Sequence, residues 1–444
     1  MSSRPGSLRC IALFLGFASA CGGGDDSEPV RVEGGGLAGE PLGGTLHVFV
    51  VDGADGDVAV EGASVRVGAA TAPIAEGVTD GDGLVTLSAA GLSGPVSVSA
   101  EMDGHVPTTW VGVDRSSLTI SLARSGGAPF ATLSGSIEGF EDAAPELGHR
   151  RLAVVDATHA AEDIPFVAPA AVPAVDGAPH VCVRGESPSP CSFTLQAVAG
   201  TRTVFATIVD VDEGPTDSPD DDTREVIGFV HSAPIEIDEG ASVGGVRLDQ
   251  SIDAVGLSVE LPGLPPGLTS VVGIPGVRGG SGEQVMLVPL GATPADATAW
   301  VPSLDGELAG GSYWVIGRAA SADGLLVSTR IGRGFTDAAQ PVALDAWAPP
   351  PEVTIESDAL AIAGTPGAAY HDVRLSASGA VTWQVVVVGR SDRVAFDLAP
   401  AGSVTSGAVA TVTAIITPME PEGLRLERAH AALVATAAAS LPVP

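Results

Sequence analysis

The chain has 444 residues, a formal net charge of −33 at pH 7 and a hydrophobic fraction of 45%. This length accommodates three or four domains of ordinary size. Because negative charge repels phosphate, nucleic acids and anionic lipid headgroups are excluded as preferred partners. The 58 glycines and 34 prolines are spread along the chain, which favours short strands joined by turns over long helices.

The N-terminus carries a targeting signal. Arg4 and Arg9 precede a short apolar run, 11–17, which is followed by small residues and Cys21. The run is too short to cross a bilayer, since that requires roughly 20 apolar residues. The order of basic region, apolar run, small residues and cysteine resembles a bacterial lipoprotein signal peptide. An ordinary secretory signal that is cut after Ala20 is the alternative, since it too has small residues before the cleavage site.

This resemblance implies both a cellular location and a membrane anchor. Residues 1–20 would be removed as a signal peptide, and Cys21 would carry the lipid, palmitate included, on its sulfur. Gly22 rather than aspartate follows the cysteine, which by the same resemblance implies the outer membrane, on its periplasmic or cell-surface side. Residues 21–43 are rich in Gly, Asp and Glu without apolar periodicity, which predicts a flexible tether.

Two cysteines remain in the mature chain once Cys10 leaves with the signal peptide and Cys21 carries lipid. Cys182 and Cys191 would then lie in an oxidising compartment, so we expect a disulfide between them. A metal site is disfavoured, because two thiols do not supply four ligands and no second cysteine pair lies nearby.

Strand patterns begin at Thr45. Residues 46–51 form an apolar run, and residues 118–122 alternate apolar and polar side chains. Alternation of period two with Asp-Gly turns between the runs is typical of a β-sandwich.

Four motifs in this region resemble, in this order, the carboxypeptidase regulatory-like (transthyretin-like) module. They are Gly62-Ala-Ser-Val-Arg-Val67, Thr79-Asp-Gly-Asp-Gly83, Leu92-Ser-Gly-Pro-Val-Ser-Val98 and Gly104-His105. The resemblance implies an accessory seven-stranded β-sandwich over residues 44–125, without peptidase activity. His105 stands where the family usually has an aromatic residue.

Three further β-rich domains follow from the same alternation. Residues 128–250 are predicted to form a second β-sandwich, which contains the disulfide and an acidic loop. Residues 253–348 and 352–444 form a third and a fourth β-rich domain, separated by a polyproline spacer at 349–351. Whether residues 253–444 make one domain or two is left open. The expected fold class is therefore all-β: tandem immunoglobulin-like or prealbumin-like sandwiches after a signal peptide and tether.

The acidic loop is the best candidate for a metal site. Seven carboxylates lie within the thirteen residues from Asp210 to Asp222, and oxygen ligands in a turn-rich loop suit Ca²⁺. The candidate ligands are Asp210, Asp212, Asp217, Asp220 and Asp222. The spacing is not that of an EF-hand. A solvated loop held open by charge repulsion is the alternative, so a calcium cofactor and no cofactor at all both stay open.

The tryptophans allow two interpretations. Trp110, Trp300, Trp314, Trp347 and Trp383 would either form a stacking platform for sugar rings or fill sandwich cores, and the second role is the commoner one.

The function expected from these features is non-enzymatic. No paired acid and base, activated nucleophile or metal cluster recurs along the sequence. We expect a cell-envelope lipoprotein with a structural or adhesive role, which displays tandem β-sandwiches from the outer membrane. The alternatives are a carbohydrate- or peptide-binding surface module and an accessory subunit of an envelope enzyme or secretion system. The expected partners are the membrane, through the lipid, and an envelope protein or glycan.

Overall fold

The computed structural model confirms the all-β fold class. It describes residues 29–53, 58–126, 130–140, 147–160, 181–184, 191–214, 223–280, 284–288, 297–389, 391–417, 424–426 and 433–443. Apart from single 3-10 turns at Gly306–Leu308 and Phe396–Leu398, the regular elements in these residues are strands. Among them, no helix has the length and apolar character needed to cross a bilayer.

The strands fall into four consecutive groups, named here sandwiches I to IV. Sandwich I contains β1 (Gly36–Pro41), β2 (Gly43–Asp52), β3 (Val58–Ala59), β4 (Ser64–Ala69), β5 (Ala72–Val78), β6 (Leu84–Ser93), β7 (Val96–Glu101), β8 (Thr108–Val113) and β9 (Arg115–Leu122). Sandwich II contains β10 (Ala131–Ile137), β11 (His149–Ala157), β12 (His159–Ala160), β13 (Val181–Val183), β14 (Cys191–Ala197), β15 (Gly200–Arg202), β16 (Val204–Asp212), β17 (Thr223–His231), β18 (Ile235–Ile237), β19 (Ser242–Leu248) and β20 (Gln250–Ile252).

The second half of the chain continues in the same way. Sandwich III contains β21 (Ala254–Glu260), β22 (Ser270–Arg278), β23 (Gln284–Leu287), β24 (Ala297–Pro302), β25 (Ser312–Ala320), β26 (Leu326–Phe335) and β27 (Val342–Ala343). Sandwich IV contains β28 (Glu352–Ile355), β29 (Ala359–Ala363), β30 (Ala368–Ala377), β31 (Ala380–Val388), β32 (Arg393–Ala395), β33 (Val409–Ile416) and β34 (Ala435–Pro442).

The residue pattern of each strand matches the faces that it buries. In β14, buried and exposed residues alternate from Cys191 to Ala197, as expected for a strand with one solvated face. In β16, Val204 to Val209 are buried without a break, because both faces of this strand are covered. The alanine-rich β34 is a strand despite the helix propensity of alanine, since Ala437 is fully buried in a sheet core.

One sheet of 13 strands draws members from all four sandwiches. Its order is β12-β23-β22-β25-β26-β34-β33-β30-β31-β8-β7-β4-β5. The remaining sheets are local to one sandwich: β1-β9-β2-β3 with β6 on β2, β14-β10-β19, β13-β11-β16-β17-β20, β15-β18, β24-β21-β27 and β28-β29-β32. The domain boundaries that the sequence suggests stay predictions. Strand pairing in the sheet of 13 strands crosses these boundaries.

Three strand pairs make this sheet continuous. Strand β8 of sandwich I pairs in parallel with β31 of sandwich IV. Strand β34 of sandwich IV pairs antiparallel with β26 of sandwich III. The short β12 of sandwich II pairs antiparallel with β23 of sandwich III. Neighbouring sandwiches are therefore joined by backbone hydrogen bonds as well as by the covalent chain.

The hydrophobic cores also extend across the sandwiches. The core around Leu46 and Trp110 of sandwich I continues into Tyr370 and Trp314 of sandwiches IV and III. The core of sandwich III takes in Phe229 and its neighbours from sandwich II. Burial of apolar surface between the sandwiches stabilises their contacts by roughly 25 cal/mol per Å².

A buried chain of hydrogen bonds crosses the junction between sandwiches I and IV. Trp383 Nε1 donates to Thr109 Oγ1 at 2.9 Å, and the Ser99 and Thr109 hydroxyls lie 2.8 Å apart. All three side chains are buried. Because buried polar groups are costly unless paired, this chain favours one register of β31 against β8.

The predicted tether is partly bound to sandwich I. The Val32 N–H donates to Thr119 Oγ1 at 2.8 Å, and β1 pairs with β9. A Cβ on Gly36 would collide with the carbonyl oxygen of Leu424. Gly36 thus permits close backbone approach, and residues 29–43 belong to the folded body.

Candidate functional site

The predicted disulfide is confirmed. Cys182 and Cys191 are bonded, with their Cα atoms 6.1 Å apart, and both side chains are buried in the core of sandwich II. Cys182 lies on β13, an edge strand of one sheet, and Cys191 lies on β14, an edge strand of the opposing sheet. The bond therefore joins the two layers, and closing so short a loop contributes roughly 2–3 kcal/mol.

Two of the predicted calcium ligands lie within the described residues. Asp210 and Asp212 stand on the same face at the end of β16, and His149 Nδ1 lies 3.1 Å from Asp210 Oδ2 and His149 Nε2 3.9 Å from Asp212 Oδ1. Asp210 Oδ1 is buried and makes no hydrogen bond to any described residue, so this oxygen would suit a cation. Among the residues that the structure describes, no three His, Cys, Asp or Glu side chains are grouped for a metal.

Asp217, Asp220 and Asp222 lie outside the described residues, and so does Cys21. The calcium site and the lipidation site therefore stay predictions from the sequence.

The tryptophans fill cores. Trp110, Trp314, Trp347 and Trp383 are buried, and Trp300 packs, partly buried, against the core of sandwich III. Flat rings that are covered by protein cannot stack on a sugar, so the four buried tryptophans do not form a sugar platform.

A cleft of about 290 Å³ lies where sandwich II meets sandwich III, and it is named here the junction cleft. Its lining residues are His231, Gln250, Ser251, Ile252, Asp253, Ser303, Asp305, Gly306 and Glu307. They come from the end of β17, from β20 with the residue after it, and from the segment that follows β24.

The backbone holds these three segments in place. His231 is paired with Gln250 across β17 and β20. The Ser303 N–H donates to the carbonyl of Asp253 at 2.8 Å, which ties the third segment to the second. Gly306 has a φ of +56°, a conformation that favours glycine and lets the chain turn back between the two acidic side chains beside it.

The floor of the junction cleft presents hydrogen-bond acceptors. His231 is 6% exposed, and its Nδ1 lies 2.9 Å from the carbonyl oxygen of Ser232. A carbonyl only accepts, so Nδ1 carries a proton, and in the neutral tautomer Nε2 is the acceptor. Gln250 Oε1 is also buried, with no hydrogen bond to any described residue.

The rim of the junction cleft is acidic. The side chains of Asp253, Asp305 and Glu307 are exposed, and Glu307 Oε2 lies 3.8 Å from His231 Nε2. No arginine is among the described lining residues. Carboxylates around a concave, partly apolar surface concentrate negative potential at its mouth.

A polar junction beside the cleft contains two titratable groups with shifted pKa values. Burial raises the pKa of Asp156 to about 7, although the N–H of Ala157 partly offsets this. Burial, and then repulsion from Arg202, lower the pKa of His159 to about 4. Arg202 Nη1 donates to Gln284 Oε1 of sandwich III at 2.7 Å, so this network spans sandwiches II and III.

An ion-pair bridge connects sandwiches I and II. Arg124 lies 3.0 Å from Asp52 and 2.7 Å from Glu239, and hydrogen bonds to these two carboxylates raise its pKa. His105 Nε2 lies 3.6 Å from Asp52 Oδ2. The residue that departs from the module's aromatic pattern therefore lies beside this bridge.

Sequence reasoning found the disulfide and missed the junction cleft. Its acidic residues stand in two separate short stretches, 250–253 and 303–307, neither of which is a metal or catalytic motif. The Asp305-Gly-Glu307 turn signal is the one local feature that pointed to this surface.

Comparison with known proteins gives no family. No protein-family model and no curated protein matches the chain. Among solved structures, the Bacillus anthracis TIE protein matches 68% of this chain at 13% identity, with a TM-score of 0.18. The chain spans about half of that protein's length.

Two other solved structures match the chain with similar sequence identities and TM-scores. A candidate adhesin from Bacteroides ovatus covers 49% of this chain and is itself covered to 90%, at 11% identity and a TM-score of 0.14. The pilus adhesin SpaC from Lactobacillus rhamnosus GG covers 78% of this chain and is covered to 43%, at 9% identity and a TM-score of 0.15.

Proposed function

We propose that this protein is a non-catalytic lipoprotein of the cell envelope with a structural or adhesive role. In this proposal, sandwiches I to IV form one stiff body that is held at the outer membrane by lipid on Cys21. The observation that carries the proposal is the sheet of 13 strands that passes through all four sandwiches.

The continuous sheet favours a mechanical role because it resists bending. Separating sandwich I from sandwich IV would break the pairing of Thr108–Val111 with Gln384–Val387. Each backbone hydrogen bond contributes about 1 kcal/mol net, and the shared core would be exposed as well. Ordinary tandem domains have smaller and more polar contacts, so they move relative to one another by default.

The predicted anchor agrees with a body held close to the membrane. Seven residues, 22–28, separate Cys21 from the described part of the chain. The eight steps from Cys21 to Pro29 span at most about 29 Å when fully extended. This reach is sufficient to clear the lipid headgroups, and it is too short for the body to sample distant surfaces.

A peptide-binding role is the second candidate, and the junction cleft is the observation that favours it. The cleft combines a buried acceptor floor with an acidic rim, whereas four of the five tryptophans considered for sugar binding are buried. The role of an accessory subunit is compatible with both the sheet of 13 strands and the junction cleft.

The anchor is tested by Cys21→Ser. The wild-type protein should fractionate with outer membranes and incorporate labelled palmitate, while the variant should lose the label and appear in the soluble fraction. Continued membrane retention of the unlabelled variant would refute lipid anchoring.

The role is tested in cells that lack the protein. Attachment to surfaces and envelope integrity should be restored by the wild-type chain and not by Cys21→Ser at equal abundance. Equal restoration by both chains would show that membrane display is irrelevant, which contradicts the proposal.

A further inference from the structure

We propose that the junction cleft binds an organic cation, namely an alkylammonium or guanidinium group. The natural source would be either the end of a small diamine or the side chain of a lysine or arginine. This inference depends on the geometry of the cleft and not on the lipid anchor, so the two can fail separately.

The first argument is the identity of the groups that have no hydrogen bond. The His231 side chain is 7% exposed, and its Nε2 lies 3.8 Å from Glu307 Oε2, which is beyond hydrogen-bond distance. Gln250 Oε1 is buried without a hydrogen-bond partner among the described residues. Unpaired buried acceptors are costly, and a ligand that brings several N–H donors would satisfy them.

The second argument is charge. Asp253, Asp305 and Glu307 surround the mouth of the cleft, and they are not paired with arginine in the described residues that line it. A cation that enters between these carboxylates forms charge-assisted hydrogen bonds, which are stronger than neutral ones. An anionic ligand would be repelled by the same three groups.

The third argument is size. A volume of about 290 Å³ lies at the lower end of ligand pockets, which run from roughly 300 to 1,000 Å³. One aminoalkyl chain or one arginine side chain fits this space, whereas an oligosaccharide would extend beyond it. The carboxylates also fail to converge as a metal cage among the described residues, so an organic cation is preferred over a bare metal ion.

The test is a calorimetric titration of the purified full-length protein in detergent with cadaverine and with the tripeptide Ala-Lys-Ala. 1,5-Pentanediol serves as the uncharged analogue of the diamine. We expect saturable binding of at least one of the two amines and none of the diol. Tighter binding of the diamine would identify a small metabolite as the source, and tighter binding of the peptide would identify a protein segment.

Matched variants separate a site from general attraction to an acidic protein. The double variant Asp305→Asn/Glu307→Gln removes two rim charges and should weaken binding at least tenfold. Glu76→Gln/Glu352→Gln removes two exposed charges far from the cleft and should leave the affinity unchanged. Absence of amine binding, or equal weakening in both double variants, would overturn the proposal.

The floor is tested with His231→Phe, which keeps an aromatic ring and removes the acceptor nitrogen. Thermal melts would first establish that this variant is folded. A folded variant with weakened amine binding supports the role of Nε2, and a folded variant with unchanged affinity contradicts it. If it fails to fold, the rim variants decide the question alone.

Discussion

Two junctions in this molecule join sandwiches in different ways. Between sandwiches I and IV, β8 pairs with β31, and the buried contact of Thr109 with Trp383 joins two neutral side chains. Between sandwiches II and III, β12 pairs with β23, and His159 of β12 is buried beside Arg202. Asp156, at the end of the neighbouring β11, is buried as well. The contact of Thr109 with Trp383 does not titrate, whereas burial makes the charges of Asp156 and His159 costly. The junction between sandwiches II and III should therefore respond to pH.

The largest effect is expected at the neutral junction. Trp383→Ala removes a fully buried indole, and truncations of this kind cost about 3–5 kcal/mol because a cavity remains. Chemical denaturation should show this loss equally at pH 5 and pH 8. A strongly pH-dependent loss would mean that the junction between sandwiches I and IV contains a titrating group.

The second-largest effect on stability is expected from the titration of Asp156. Its folded-state pKa of about 7 is raised above the ordinary 3.8, so its stabilising contribution is complete below pH 3.8 and is lost as the pH rises to 7. The shift corresponds to a cost on the order of 4 kcal/mol at neutral pH. Asp156→Asn should therefore stabilise the protein at pH 8 and change little near pH 3.5.

Denaturation at several pH values measures this difference directly. A loss of stability at pH 8 in Asp156→Asn would show that the carboxylate is compensated in the folded state. Glu352→Gln, which neutralises an exposed carboxylate elsewhere, is the matched control and should show no such trend.

His159 should act in the opposite direction. Its pKa is lowered from 6.5 to about 4, so its contribution is complete above pH 6.5 and is lost as the pH falls to 4. The cost at pH 4 is on the order of 3 kcal/mol. In His159→Gln this acid-induced loss should disappear, while stability at pH 8 stays close to wild type apart from small packing changes. An unchanged acid profile would remove His159 from the explanation.

The smallest effect is expected at the ion-pair bridge between sandwiches I and II. Glu239→Gln removes one of the two carboxylates on Arg124. Since exposed ion pairs contribute little and are screened by salt, the melting temperature should fall slightly at low ionic strength and not at about 1 M salt. A large drop that persists in salt would indicate a structural role beyond charge.

The local elements were largely predictable, because alternation and turn residues are local signals. Residues 118–122, in which apolar and polar side chains alternate, lie within β9, and the polar Thr119 is buried as well. The alanine-rich segment 435–442 forms β34, because pairing with two neighbouring strands outweighs the helix propensity of alanine. The disulfide was predictable from the expected oxidising compartment and the number of cysteines.

The joins between sandwiches were not predictable. Nothing in Gln384–Val387 indicates that its partner is Thr108–Val111, since any apolar strand edge would fit the same pattern. The junction cleft escaped for a related reason. His231 resembles any other strand-end histidine until three distant segments bury it against acidic neighbours.

The pairing of β8 with β31 has a consequence for how the protein is made. Thr109 and Trp383 are 274 residues apart in the chain, so the edge of sandwich I stays open until most of the polypeptide is available for folding. Contacts of such long range slow folding, and an open strand edge is prone to wrong pairing in the meantime. A chaperone that shields this edge during folding would therefore raise the yield of native protein, and chains truncated before residue 384 should aggregate.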